Sequence, residues 1–258
     1  QGFFHHRKLD RLCELAERLA LPVVMYTEGG GGRPGDTDVL TQIAGLNVPS
    51  FAAWARLAGR VPRIAVNNGY CFAGNAALFG CADFRIATRR SWIGMAGPAM
   101  IEGGGLGRFE PTEIGPIDVQ ERNGVVDLVV EDEAAATAAA RQLLGYFQGD
   151  LATWDCADQR ALRDLVPEDR RWGYPVRRVI ETLADTGSFL ELGRIHGRSV
   201  ITGFLRIEGR PMALLANDCQ QLGGAVDAEA ADKAAKERQS HMRELVARAG
   251  CESWTQFL

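Results

Sequence analysis

The chain has 258 residues, 46% of them hydrophobic and 24% charged, with a net charge of -4, which is ordinary globular composition and enough length for one large domain or two small ones. A net negative balance supplies no basic field with which to hold a polyanion, so nucleic acid is not an expected partner. No apolar run reaches the roughly eighteen residues of a membrane span, and Gln1-Gly2-Phe3-Phe4-His5-His6 lacks the layout of a signal peptide, so neither membrane nor secretion is expected and the chain reads as cytoplasmic.

In chain order, Leu9, Leu12, Leu15, Ala16 and Leu19 recur at helical spacing, and Leu21-Pro22 ends that helix before Val23-Val24-Met25-Tyr26-Thr27 predicts a buried strand. The strand runs into Glu28-Gly29-Gly30-Gly31-Gly32-Arg33-Pro34-Gly35-Asp36. Successive glycines remove every Cβ and let a ligand touch the backbone, although a glycine run serves equally as a flexible turn. A second helix is expected from Ser50 to about Ala58, and Arg63-Ile64-Ala65-Val66-Asn67-Asn68-Gly69 predicts a strand ending in turn residues. Tyr70 to Leu78 then predicts a turn feeding a tightly packed helix, and Asp83 to Thr88 the next strand. This alternation implies α/β layering.

From Ser91 the sequence is loop-rich through Gly97-Pro98 and Gly103-Gly104-Gly105, and the latter run is given no catalytic role. Val125 to Val130 predicts a strand and Ala134 to Leu144 a helix. The charged, irregular stretch from Trp154 to Trp172, with Pro167 and Pro175 about its end, marks a domain boundary near Tyr174. Beyond it Val176, Val179, Ile180 and Leu183 form a helical stripe. Val200 to Ile207 and Pro211 to Ala216 predict a hairpin turning at Glu208-Gly209, followed by a glycine-bearing loop from Asn217 to Asp227.

Six cysteines, Cys13, Cys71, Cys81, Cys156, Cys219 and Cys251, contain no C-x-x-C pair and read as reduced core thiols; no zinc ribbon is visible. His5, His6, His196 and His241 lack metal-ligand spacing, so no metal is expected. Among Arg33, Arg56, Arg60, Arg63, Arg89 and Arg90, only Arg33 is singled out as a contact for the phosphates of an anionic ligand. Asp83, Glu102 and Glu113 are the carboxylates to compare with an acid/base pair; Asp83 reads better as a group that orients a strand end.

Four segments carry a family resemblance: Glu28-Gly-Gly-Gly-Gly-Arg-Pro-Gly-Asp-Thr-Asp38, Cys71-Phe-Ala-Gly-Asn-Ala-Ala77, Ile93-Gly-Met-Ala-Gly-Pro-Ala-Met-Ile-Glu-Gly-Gly-Gly-Leu-Gly107 and Leu222-Gly-Gly-Ala-Val-Asp-Ala228. They resemble the carboxyltransferase subunits and domains of biotin-dependent acyl-CoA carboxylases, and the likeness runs from Gly2 to Ala235. It implies an α/β fold of the crotonase (ClpP/crotonase) type, built of repeated β-β-α units. Residues 1–174 would form an amino-terminal domain that holds acyl-CoA, entered partway. Residues 175–235 would begin a similar carboxyl-terminal domain that receives carboxybiotin, without the later block that supplies the biotin-side amides. Two explanations stand for residues 236–258: a charged amphipathic helix with Met242, Leu245, Val246 and Ala249 on one side, or a piece of a longer parent joined across a gap, the second being favoured.

The resemblance also implies chemistry. Carboxyl transfer from carboxybiotin to the α-carbon of an acyl-CoA passes through an enolate, whose oxygen needs donors; a backbone N–H does this at roughly 3 to 4 kcal/mol per good donor in a dry pocket. Gly74 and Asn75 supply the amides, with Asn75 standing where relatives usually carry a second glycine and adding a side chain that crowds or orients the site. Gly30, Gly31, Gly32, Arg33, Gly97, Pro98, Gly223 and Gly224 are the implied contacts to acyl-CoA and biotin. Carboxybiotin on a carrier domain is the expected cofactor and base, so no catalytic His or Ser is required. Expected partners are biotin carboxylase and biotin carrier domains, fused or separate, and a homo-oligomer based on a dimer and extending to a hexamer. Two rival functions remain at this stage: a crotonase-type enoyl-CoA hydratase or isomerase, and a non-catalytic scaffold part of a carboxylase complex. A serine hydrolase is remote, because Ser91 and Ser199 lack recognisable His and acid companions.

Overall fold

Four short apolar runs far apart in sequence become neighbours in one parallel sheet. In the computed structural model, which describes residues 1–31, 48–169 and 171–237, the strands β1 (Val23–Tyr26), β2 (Arg63–Asn67), β4 (Phe84–Thr88) and β6 (Leu128–Val130) lie in the order β1-β2-β4-β6. Their register aligns Val24 with Ile64 and Ile64 with Phe84. A parallel sheet covered on both faces needs unbroken apolar strands, and β2 is buried at all five positions. A second parallel pair, β3 (Tyr70–Phe72) and β5 (Trp92–Gly94), follows the sheet strands in the chain. With helices α3 (Gly74–Gly80) and α4 (Pro98–Gly103) they make two β-β-α units, β2-β3-α3 and β4-β5-α4.

The amino-terminal helix α1 (Phe3–Leu19) and α2 (Ser50–Arg56) pack against one another. The expected apolar stripe of α1 is only partly inside: Ala16 is buried as expected, but Leu12 and Leu19 are 60% and 55% exposed, and His6 and Cys13 are buried in their place. Trp54, Leu57, Phe79 and Val61 fill the core between these helices and the sheet. The strand predicted from Val125 shortens to β6, while β3, β5, α4 and α5 (Ile117–Arg122) form where turns or loops were expected. These elements have three to six residues, too few to show a periodicity.

The chain divides into two units, Gln1–Ala140 and Arg141 onward. The division falls earlier than the boundary read near Tyr174, within α6 (Glu133–Gly145). Arg206 explains why the segment after Ala140 belongs with the second unit. Its buried guanidinium donates to the carbonyls of Gly145 and Gly149 at 2.7 and 2.9 Å and lies 5.8 Å from the Tyr146 ring, so the end of α6 is tied to a strand of the second sheet. That sheet is antiparallel, β7 (Leu190–Leu192), β8 (Val200–Ile207) and β9 (Arg210–Asn217). The predicted hairpin turns at Glu208-Gly209, both with positive φ (52° and 77°), as a two-residue turn of this hand requires. The Asp185 carboxylate accepts from both turn amides, at 2.9 and 2.8 Å. Helix α8 (Val176–Leu183) covers this sheet with Val176 and Ile180, whereas Leu183 is exposed. Two short helical turns, at Gln159–Ala161 and α7 (Leu162–Leu165), occupy the stretch read as irregular, and α9 (Ala228–Glu237) follows the last glycine loop. Most of the tail from 236 to 258, including Met242, Leu245, Val246 and Ala249, lies outside the described residues.

Cysteine burial divides as the local packing dictates. Cys13 and Cys71 are buried, Cys156 and Cys219 are half-buried, and Cys81 is exposed, so the expectation of core thiols fails at Cys81. Burial pushes the Cys71 thiol up to about 12, which leaves almost no thiolate near neutrality. Treatment with iodoacetamide at about pH 8 is expected to modify Cys81 rapidly and to spare Cys71 until the chain unfolds. Peptide mapping after a timed quench checks this, and early alkylation of Cys71 would contradict the packing described. Among the described residues, no helix is long and apolar enough to cross a membrane.

Candidate active site

The glycine loop begins where β1 ends, at the carboxyl edge of the parallel sheet, the edge at which open α/β sheets place ligands. Buried Thr27 starts it: its amide and hydroxyl both donate to the Val66 carbonyl. Gly29 donates to Tyr70 O at 2.7 Å and accepts from Phe72 N at 2.9 Å, so the loop runs as an added parallel strand beside β3. Three glycines in succession then have different reasons to be glycine. A Cβ on Gly29 would lie 2.9 Å from Asn75 Nδ2, and one on Gly31, at φ 90°, would lie 2.7 Å from Ala73 Cβ. Their bare backbone makes room for the protein's own α3 corner. Gly30 alone has nothing within 4 Å of a Cβ position and presents an open face.

The corner itself is strained. Ala73 has φ 51° and ψ -120°, a conformation that costs an alanine on the order of 1 to 3 kcal/mol and that clusters at functional sites. It is held by Ala73 N donating to Gly94 O and by Ala77 N donating to Ala73 O. The amides of Gly74 and Asn75, the next two along, have no acceptor among the described residues. A Cβ on Gly74 would lie 3.1 Å from Phe51 Cζ, so glycine is required there for space.

Asn75 is 8% exposed, and its side chain neither crowds the corner nor turns to solvent. Its Oδ1 accepts from Gly31 N at 3.1 Å, and its Nδ2 donates to Thr27 O and Glu28 O at 3.0 and 3.1 Å. A cavity of about 380 Å³ opens alongside, within the size range of about 300 to 1,000 Å³ usual for small-molecule sites. Leu9, Met25 and Leu78 give it apolar walls, Thr27, Gly29 and Asn75 line the side of the corner, and Lys8 and His5 bring basic groups to it. Gln1 lines it too, with Oε1 buried and without a hydrogen-bond partner among the described residues.

The residues singled out from the sequence thus separate into three groups. Gly30, Gly31, Gly74 and Asn75 converge on one corner, and Gly97 joins them indirectly, since a Cβ there would touch the Phe72 ring at 3.4 Å and Phe72 leads straight into Ala73. Pro98 is the first residue of α4. Gly223 and Gly224 belong to the second unit, in a short turn with φ 64° and 83°, the Gly224 carbonyl accepting from Asn217 Nδ2. Gly32 and Arg33 lie outside the described residues.

The candidate acid/base carboxylates are engaged elsewhere. Asp83 pairs with Arg63, Glu102 with Arg108 at 2.6 Å, and Glu113 accepts from Glu110 N at 2.7 Å; none lines the cavity. Of the arginines weighed with Arg33, Arg60 pairs with Glu17, Arg63 with Asp83 and Arg89 with Glu121. Among the described residues no group of three or more His, Cys, Asp or Glu side chains could hold a metal.

Sequence reasoning passed over one polar trio, His6, Asp10 and Ser50. Buried Ser50 donates to Asp10 Oδ1 at 2.6 Å and lies 3.1 Å from His6 Nδ1. The hydroxyl therefore sits between the other two, whereas nucleophilic activation needs the imidazole between serine and acid. The trio clips α1 to α2. The hydroxyl of Ser91 is spent on Asn67 O. No spacing in the sequence could announce the trio, because His6 and Ser50 meet only through tertiary packing.

A family model for the carboxyl transferase domain matches residues 2–243. The chain belongs to the carboxyl transferase domain family. This carboxyl transferase domain is 51% identical to a solved single-chain, multi-domain long-chain acyl-CoA carboxylase, with a TM-score of 0.88 over 98% of this chain and 25% of that one. It is 28% identical to the transcarboxylase 12S structure, a hexamer assembly with hydrolysed methylmalonyl-CoA bound, with a TM-score of 0.75 over 90% of this chain and 46% of the other. In sequence it is 29% identical to the beta4 subunit of the biotin-dependent long chain acyl-CoA carboxylase of Mycobacterium tuberculosis, across 91% of this chain and 47% of that subunit. It thus spans less than half the length of the curated relatives it matches. The fold is of the crotonase type expected, and the family match reaches eight residues beyond Ala235.

Proposed function

We propose that this chain is the acyl-CoA side of a biotin-dependent carboxyltransferase, and that it carries an acyl-CoA enolate on the main-chain amides of Gly74 and Asn75. One observation carries the reading: two adjacent amides without acceptors among the described residues, at a strained alanine corner, beside an apolar-walled cavity. Removing the α-proton of a thioester moves negative charge onto the carbonyl oxygen, and donors fixed in advance stabilise that charge without reorganising. The strain at Ala73 is the local cost of fixing them.

The residues at hand are compatible with biotin. Gly97 lies against the Phe72 ring and carries no side chain, so it would leave room there for a bicyclic ureido ring. Bound carboxybiotin would supply both the carboxyl group and, after loss of carbon dioxide, the ureido nitrogen that accepts the α-proton. Gly97 and Pro98 would border the ring, and Gly223 and Gly224 are proposed as further biotin contacts. Gly30 would give the thioester close access to backbone, and Gly32 and Arg33 are proposed, by residue type and resemblance alone, as further contacts to the coenzyme. The cavity walled by Leu9, Met25 and Leu78 would take the acyl group. A biotin carboxylase, a carrier domain and further copies of this chain complete the proposed assembly. The hydratase rival is disfavoured because Asp83, Glu102 and Glu113 are committed to structural contacts.

Hydrogen exchange tests the assignment. Saturating acyl-CoA added to the full-length protein is expected to slow exchange in peptides covering Tyr70 to Gly80, by at least tenfold at Gly74 and Asn75, since protection scales with the closed population. Exchange there that ignores acyl-CoA while coenzyme binding is seen calorimetrically would remove the assignment.

A further inference from the structure

Resting on the reading of Gly74-Asn75 as the receiving corner, we propose that the Asn75 carboxamide is a positioning group. It registers the Thr27–Gly31 backbone against the corner and takes the Gly31 amide out of use. The chemistry of the three contacts singles out this side chain. Thr27 O and Glu28 O are two acceptors and Gly31 N is one donor, all within 3.1 Å of one group. A short carboxamide answers all three at once, with two N–H donors and one carbonyl acceptor. An aspartate would set an oxygen against two carbonyls, and an alanine would leave two buried backbone groups and one part-buried one without this partner.

The loop is secured independently at its beginning, where Thr27 and Gly29 bond to Val66, Tyr70 and Phe72. At Gly31 the amide has Asn75 as its partner, and the carbonyl accepts from the nitrogen of Gln1 at 2.5 Å. Asn75 therefore decides where the loop's last described residue stands relative to Gly74 N, which is 3.3 Å from the position a Gly31 Cβ would take. Because Gly31 N is spent on Oδ1, an incoming oxygen meets the amides of Gly74 and Asn75. The same residue thus offers its main chain to the substrate and uses its side chain to keep the opposite wall in register.

The test uses Asn75→Ala and Asn75→Asp in the full-length protein, assayed with its carboxylated carrier. For Asn75→Ala, kcat is expected to fall about ten- to hundredfold with the acyl-CoA KM within about threefold, as misplacement by a fraction of an ångström does to a preorganised site. Asn75→Asp is expected to be equally slow at alkaline pH and to recover as pH falls. Burial disfavours the charged form and raises the carboxyl pKa, so the neutral acid, which regains a donor, is populated on the acid side. Unchanged kcat in Asn75→Ala would overturn the proposal, as would a loss confined to KM, or an Asn75→Asp variant whose activity relative to wild type ignores pH. The two ideas fail separately. If acyl-CoA protects the Gly74-Asn75 amides in the wild type but Asn75→Ala keeps full kcat, only the positioning role falls; absent protection removes the receiving corner itself.

Discussion

Asp83→Ala is expected to cost about 3 to 5 kcal/mol of folding stability, because it strands a buried arginine. Arg63 stands at the amino end of β2 and Asp83 just before β4, both almost wholly buried. The pair is bidentate, at 2.7 and 3.1 Å, and the same carboxylate accepts from Arg63 N at 2.9 Å. The guanidinium also donates to Trp54 O and lies 5.3 Å from the Trp54 ring. Geometry of this quality offsets desolvation only while both partners remain. Removing the acid leaves an uncompensated charge in the core of the first unit, whereas the double change Arg63→Met with Asp83→Leu should recover most of the loss. Urea unfolding of the single and the double variant measures this, and a loss below about 1 kcal/mol in Asp83→Ala would show that water reaches the site. The pair lies at the edge of the sheet away from the glycine loop, so the folded fraction of Asp83→Ala should retain its affinity for acyl-CoA.

Gly31→Ala is the variant expected to damage function most for the least change in mass. The new methyl would lie 2.7 Å from Ala73 Cβ and 3.2 Å from Phe72 O, and φ at this position is 90°. Left-handed backbone costs a side-chain-bearing residue roughly 1 to 2 kcal/mol, and relief requires the loop to lift from the corner. Displacement of about 1 Å at a preorganised site reduces turnover about a hundredfold. Carboxylation rates with circular dichroism as a folding control check this; Gly80→Ala, where nothing lies within 4 Å of the added carbon, serves as the neutral comparison. Near wild-type turnover in Gly31→Ala would mean that the loop and the corner are not coupled.

Much of the architecture was legible before any coordinates. The strands at 23–26, 63–67 and 84–88, the helices at α1, α2, α3 and α6, and the hairpin at Glu208-Gly209 stand close to where periodicity and turn chemistry place them. Elements of three to six residues were not legible, because a strand as short as Trp92–Gly94 is defined by its partner Tyr70–Phe72 rather than by its own residues. The boundary near Tyr174 was drawn from proline and charge, while Arg206 ties the end of α6 to β8 through contacts that no local pattern encodes.

The glycine run and the Ala73-Gly74-Asn75 turn could be picked out from residue types alone, because a missing Cβ and a missing intrahelical acceptor are local properties of the chain. What those glycines make room for is not local. Gly29 and Gly31 are bare so that Asn75 and Ala73 can approach, and of the three described glycines of the run Gly30 is the one left open. Likewise Asn75, read as a side chain that either crowds or orients, became a three-bond tie once β1 and α3 lay side by side. The sequence by itself determined the α/β layering, since that follows from period and composition, and its motif segments carried the family resemblance and pointed to the Ala73-Gly74-Asn75 turn. Tertiary structure alone decided which polar groups are spent and which are spare, because a hydrogen bond across more than forty residues exists only after the core has brought its two ends together.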